Sequence, residues 1–162
     1  MNRRELLVLA GTSVSTSMTA CGLDTRQDAP DYSAKAISGQ TFTKATLRGK
    51  VVLVQTWATW CGYCRREQPI VDSLLGEFGA KGLTLLAVNV GETRGKVLDY
   101  LRDSPRRPHV VLEQDTNLAD LYHSGGFPAY VLIDRDGKIA GAQRGAGGEE
   151  SLREMLAKAG LK

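Results

Sequence analysis

Long apolar runs are missing from this chain: past the N-terminus nowhere do about 18 apolar residues follow one another, so no segment crosses a bilayer by length alone. Aromatic residues make up only 6% of the sequence, and no basic stripe with interleaved aromatics is present, so nucleic acid is not expected as a partner. No internal repeat is visible, which argues against a solenoid or propeller. The two histidines, His109 and His123, have no metal-like spacing, and a structural zinc site would lack ligands. What remains is a chain of 162 residues, 42% apolar and with a net charge of +3, enough for one well-cored domain. Its three cysteines form an odd set: Cys61 and Cys64 can pair, while Cys21 stands forty residues upstream.

The N-terminus reads as an address. Arg3 and Arg4 precede the apolar stretch Leu6 to Gly11, a neutral Ser/Thr-rich segment follows, and no charge intervenes before Cys21, the layout of an export signal over residues 1–20. Met18-Thr19-Ala20-Cys21-Gly22 resembles the bacterial lipobox, which implies cleavage before Cys21 and a lipid on that residue. An ordinary cleaved signal with a stray cysteine is the alternative. Asn2-Arg3-Arg4-Glu5-Leu6-Leu7 also resembles a twin-arginine signal, leaving two export routes open. Residues 21–33, with Asp, Arg, Gln and Pro, read as a solvated tether, and residues 34–162 as the folded domain.

Within that domain, Gly39-Gln40 sits between short β-prone pieces and predicts an N-terminal hairpin. Val51 to Trp57 is a continuous apolar run, the pattern of a strand buried on both faces. A helical pattern runs from Cys61 to Phe78, with Pro69 expected to kink it. Leu83 to Val90 reads as a second buried strand, Thr93 to Arg102 as a helix, Val110 to Leu112 as a short strand, and Asn117 to Tyr122 as a short helix with Asp115, Thr116 or Asn117 as its cap. Tyr130 to Asp134 and Lys138 to Gln143 form a hairpin around Arg135-Asp136-Gly137, and Glu149 to Ala159 closes the chain as an amphipathic helix. The order predicts an α/β fold with a mixed sheet covered by helices on both faces.

Cys61 and Cys64, three apart at the start of a helix, lie on one face and can form a disulfide. The unpaired N–H groups and dipole at that end favour a thiolate on Cys61, which makes it a nucleophile toward disulfides. Cys64, one turn deeper, would resolve the mixed disulfide.

The segment Trp57-Ala58-Thr59-Trp60-Cys61-Gly62-Tyr63-Cys64-Arg65-Arg66-Glu67-Gln68-Pro69, with Gly49-Lys50 before the strand and Gly126-Phe127-Pro128 later, resembles the thioredoxin superfamily, specifically its membrane-anchored TlpA/ResA-type branch. The resemblance implies a thioredoxin-like fold from residue 34 onward and a redox-active Cys61–Cys64 disulfide needing no other cofactor. It makes Pro128 the cis-proline beside that disulfide, and Trp60, Gly62, Tyr63 and Phe127 the substrate-facing rim. Glu67 matches an acid that this branch carries after its second cysteine, where it could tune the Cys64 thiol or carry its proton; a solvated surface glutamate paired with arginine is the bland alternative. Gln55 stands where many thioredoxins bury an aspartate.

The resemblance therefore implies a thiol-disulfide oxidoreductase of the cell envelope, monomeric and lipid-anchored with its catalytic domain outside the cytoplasmic membrane. Its substrates would be protein disulfides and dithiols, with apocytochrome c haem-site cysteines among the candidates, and its electrons would come from a membrane donor of the DsbD/CcdA type. The Gly62-Tyr63 insert carries no cation, which favours a reductant over an oxidant. An oxidase or isomerase is the rival enzyme reading, a peroxidase is disfavoured by Ala58 three residues before Cys61, and a Cu(I) chaperone would need a histidine to join the dithiol.

Overall fold

The computed structural model describes residues 27–162. The expected export signal and the expected lipid site at Cys21 lie outside the described residues. Seven strands and four helices follow in the order β1 (Ser33–Ala36), β2 (Thr41–Thr43), β3 (Val51–Trp57), α1 (Gly62–Phe78), β4 (Leu83–Asn89), α2 (Arg94–Asp103), β5 (His109–Thr116), α3 (Leu118–Tyr122), β6 (Ala129–Ile133), β7 (Ile139–Arg144) and α4 (Gly148–Ala157). The strands make one mixed sheet in the order β2-β1-β5-β4-β3-β6-β7, with β3, β4 and β5 parallel and the outer pairings antiparallel.

All seven residues of β3 are buried, and their alternation sorts the core into two layers. Val51, Leu53 and Trp57 face one side with Leu85, Leu112 and Leu132, packed against α1, α2 and α4 through Leu74, Phe78, Val97, Leu152 and Leu156. Val52 and Val54 face the other with Leu86, Val88 and Val131, covered by α3 through Leu118 and Tyr122 and by the N-terminal hairpin through Phe42. The sheet thus carries helices on both faces, as its element order predicts, and the fold is thioredoxin-like.

Four local features depart from the sequence reading or sharpen it. The chain from Gln27 to Tyr32 is docked on the domain: Ala29 N–H donates to Gly137 O, Ile139 N–H donates to Gln27 O, and Ala29 and Tyr32 are buried. Two apolar side chains over the second core layer outweigh the polar residues that suggested a solvated tether here. Helix α1 runs unbroken through Pro69, which has no N–H to donate and so leaves the Arg65 carbonyl without its helical partner. Strand β5 extends four residues past the apolar run because β1 offers a pairing edge, Ala34 lying opposite Thr116. At α3, of the three cap candidates Thr116 provides the acceptor, its Oγ1 taking the Leu118 N–H, while the Asn117 side chain bridges to Ser33 N–H and Asp31 O.

The turn between β6 and β7 forms as its sequence suggests. Asp134 Oδ1 accepts the N–H groups of Asp136 and Lys138, both at 2.9 Å, and Gly137 takes φ of +78°, a conformation that side-chain-bearing residues rarely adopt.

Candidate active site

Parallel β3 and β4 end together, Trp57 opposite Asn89, and antiparallel β6 begins beside the end of β3, Ala129 opposite Thr56. The connections leaving β3 and β4 and the one entering β6 therefore meet at one end of the sheet, where open α/β folds gather their sites.

Cys61 is the N-cap residue of α1, with extended backbone, and its Sγ accepts the Cys64 N–H at 3.0 Å. An unpaired helix-terminal donor aimed at this sulfur stabilises negative charge on it. Cys61 and Cys64 are joined by a disulfide, with Cα atoms 5.3 Å apart. Cys61 keeps 4% of its surface exposed and Cys64 none, so an incoming group can touch only the first sulfur. Gly62, half-buried, and Tyr63, exposed, separate the two cysteines in the chain.

Around the sulfurs lies an aromatic rim. Trp60 is 64% exposed and Tyr63 61%, whereas Trp57 is wholly buried, its Nε1–H donating to Ala87 O and the Arg106 guanidinium lying 3.7 Å over its ring. Phe127 meets Trp60 edge-on at 5.6 Å between centroids, and His123 stacks on the same Phe127 at 4.8 Å. The Phe127–Pro128 bond is cis. Gly125 and Gly126 lead into it with φ of +75° and +96°, turning the chain in a way that larger residues resist. Arg66 covers the Tyr63 ring at 4.5 Å. His109 instead packs on Phe42, and burial lowers its pKa.

Glu67 is buried, with 2% of its surface exposed, rather than solvated and paired with an arginine. Its Oε2 accepts the Tyr130 hydroxyl at 2.6 Å, and its Oε1 accepts the N–H groups of Gly147 and Gly148 at 3.0 and 2.8 Å. Gly147 is the N-cap of α4 and has no side chain to cap with, so Glu67 supplies the missing acceptor from α1. Gln55 Nε2 donates to the same Tyr130 oxygen at 3.0 Å. Burial, and then the hydrogen bond and charge of Glu67, push the Tyr130 phenol far above its ordinary pKa and keep it protonated.

A second buried acid was not among the sequence candidates. Glu92, just past β4, has a side chain 2% exposed and accepts Thr59 N–H and Oγ1–H, Asn89 Nδ2–H and the Lys96 ammonium, all between 2.6 and 2.8 Å. Burial alone would raise its pKa, but these hydrogen bonds prevail and hold it at about 2. The signal that could have revealed it is position: an acid just past the C-terminal end of a buried parallel strand. Tyr130 and His123 were missed for a similar reason, since their partners Glu67 and Phe127 are remote in sequence. Among the described residues no three His, Cys, Asp or Glu side chains gather as a metal-ligand cluster.

Two outcomes follow from these acids. Tyr130→Phe strands Glu67 Oε2 and the Gln55 amide and should lower stability by about 1–3 kcal/mol in denaturant titration; a loss below about 0.5 kcal/mol would mean that the network holds nothing in place. For Glu92, a folded pKa of about 2 against an ordinary 4.5 means its contribution is complete above pH about 4.5 and falls away as pH drops toward 2. Acid unfolding curves of wild type and Glu92→Gln should therefore converge across that window and differ above it.

The sequence model of the AhpC/TSA family matches residues 25–142. Among curated relatives, the thiol-disulfide oxidoreductase ResA of Geobacillus thermodenitrificans (strain NG80-2) is 30% identical over 79% of this chain and 74% of that protein. ResA of Bacillus subtilis (strain 168) is 29% identical over 80% and 72%. Among solved structures, a Chlorobium tepidum protein assigned as thiol:disulfide interchange protein DsbE superposes with a TM-score of 0.74 at 29% identity, covering 85% of this chain and 99% of that one. The thioredoxin domain of a thiol-disulfide oxidoreductase from Bacteroides vulgatus gives 0.68 at 26% identity, covering 83% and 99%. With its two-cysteine disulfide at the head of α1, the chain is a thiol-disulfide oxidoreductase of ResA/DsbE type and belongs to the thioredoxin-like AhpC/TSA family.

Proposed function

We propose that this protein reduces disulfides in exported proteins at the cell envelope. The observation that carries the reading is the asymmetry of the cysteine pair: Sγ of Cys61 meets a helix-terminal N–H and reaches the surface, and Cys64 is sealed behind it. In the reduced enzyme the Cys61 thiolate attacks one sulfur of a substrate disulfide, forming a mixed disulfide and releasing the other sulfur as a thiolate. The Cys64 thiol then loses its proton and attacks Sγ of Cys61; the Cys61–Cys64 bond closes, the mixed disulfide breaks, and the substrate leaves as a dithiol carrying two electrons.

The rim of Trp60, Gly62, Tyr63 and Phe127 with Pro128 would hold an extended substrate segment across the disulfide. Glu67, one turn beyond Cys64 on α1, would tune the resolving thiol or take its proton. The cycle uses no bound cofactor. Its return to the dithiol requires an external donor, for which a membrane dithiol protein of the DsbD/CcdA type is suited, and lipid at Cys21 would keep a monomeric enzyme near that donor. Apocytochrome c is one substrate of fitting chemistry.

Expressed in its own host, Cys64→Ser should accumulate mixed disulfides through Cys61 that mass spectrometry identifies as exported proteins; adducts only to cytoplasmic proteins, or none, would sink the envelope assignment. The reduction potential against a glutathione buffer should lie below about −200 mV, whereas a value near −120 mV would reassign the protein as an oxidant.

A further inference from the structure

Thr59 sits in the link between β3 and α1, two residues before Cys61. The Cys61 N–H donates to Ala58 O at 3.2 Å, closing a turn around Thr59, and Cys61 then begins the helix. The orientation of that turn decides whether Sγ of Cys61 faces the Cys64 N–H. Few interactions internal to so short a link can fix it.

Glu92 reaches in from the neighbouring loop. Its Oε2 accepts the Thr59 N–H at 2.7 Å and Asn89 Nδ2–H at 2.8 Å; its Oε1 accepts the Thr59 hydroxyl at 2.6 Å and the Lys96 ammonium at 2.7 Å. Two of the four donors belong to Thr59, one from the backbone and one from the side chain, so that residue can neither rotate nor slide without breaking a charge-assisted bond. Asn89 ties the carboxylate to the end of β4, and Lys96 ties it to the first turn of α2. Both oxygens are engaged by donors from three segments, which suits this acid to holding the loop.

We infer that Glu92 is a positioning residue for disulfide exchange: by clamping Thr59 it holds the turn Ala58–Cys61 in the arrangement that presents the Cys61 sulfur to the helix N-terminus. The inference rests on Cys61 being the attacking thiol. It also has a definite sign. A carboxylate acting only as a nearby charge would disfavour the Cys61 thiolate, so removing it would make the thiol more reactive. A carboxylate acting as a clamp has the opposite effect: removing it weakens the cap and makes the thiol less reactive.

The test is the rate of Cys61 alkylation by iodoacetamide as a function of pH, on the reduced full-length chain. Glu92→Gln keeps the size but offers one acceptor oxygen and turns an amide N–H₂ toward donors. It should slow alkylation at neutral pH by about fivefold, the order of one lost cap interaction, and move the inflection to higher pH. Thr59→Ala should act in the same direction, Thr59→Ser should behave as wild type, and the double variant Glu92→Gln with Thr59→Ala should be no slower than Glu92→Gln alone. An unmoved inflection in Glu92→Gln, or one moved to lower pH, overturns the clamp. If Glu92→Gln does not fold, the contrast of Thr59→Ala with Thr59→Ser decides: equal profiles overturn the inference. A wild-type Cys61 that titrates as an ordinary thiol overturns both the clamp and the assignment of the nucleophile, whereas a stabilised wild-type thiolate with unmoved variants overturns the clamp alone.

Discussion

A helix that begins inside a protein leaves its first N–H groups without carbonyl partners, and at the head of α1 one of them, on Cys64, meets Sγ of Cys61 at 3.0 Å. For that encounter to occur, β3 must end at Trp57, the chain must turn within four residues, and α1 must start with a sulfur at its N-cap. The buried β3 supplies the first condition by pairing along its whole length with β4. The rest of the fold holds these parts in register: α1 is pressed on the sheet through Leu74 and Phe78, and its far end is shared with α4.

Two buried acids flank this arrangement and do different work. Glu67 lies within α1 and gathers the phenol of β6 and the head of α4, so three elements share one carboxylate. Glu92 lies outside α1 and gathers the link in front of it. Each is surrounded by hydrogen-bond donors from more than one element. A buried carboxylate is tolerated only with such company, and here the company includes the backbone N–H groups of Thr59, Gly147 and Gly148.

Much of this was legible in the sequence because the signals are local. The run Val51 to Trp57, the spacing of Cys61 and Cys64 and the turn at Gly137 each declare their structure within a few residues, and the seven-stranded mixed sheet follows from the element order. What was not legible depends on residues far apart. Nothing within the polar stretch before Tyr32 shows that the turn at Gly137 offers it a pairing edge. Whether Glu67 is solvated or buried is decided by Tyr130 and Gly147, sixty-three and eighty residues away. Which of Asp115, Thr116 and Asn117 caps α3 is decided by the chain at Ser33, which takes the Asn117 side chain and leaves the helix end to Thr116.

The docking of residues 27–32 has a consequence for orientation. That segment is fastened to the turn joining β6 and β7, the end of the sheet where β3 begins, while the sulfurs lie where β3 finishes, about 20 Å further along the strand. With a lipid on Cys21, as proposed, only six residues would separate the bilayer from the fastened segment, a reach of at most about 20 Å. The domain would then stand on the membrane by its base with its reactive pole pointing outward. Soluble clients would have an unobstructed approach, and a donor embedded in the bilayer would have to project a domain of its own to reach the disulfide.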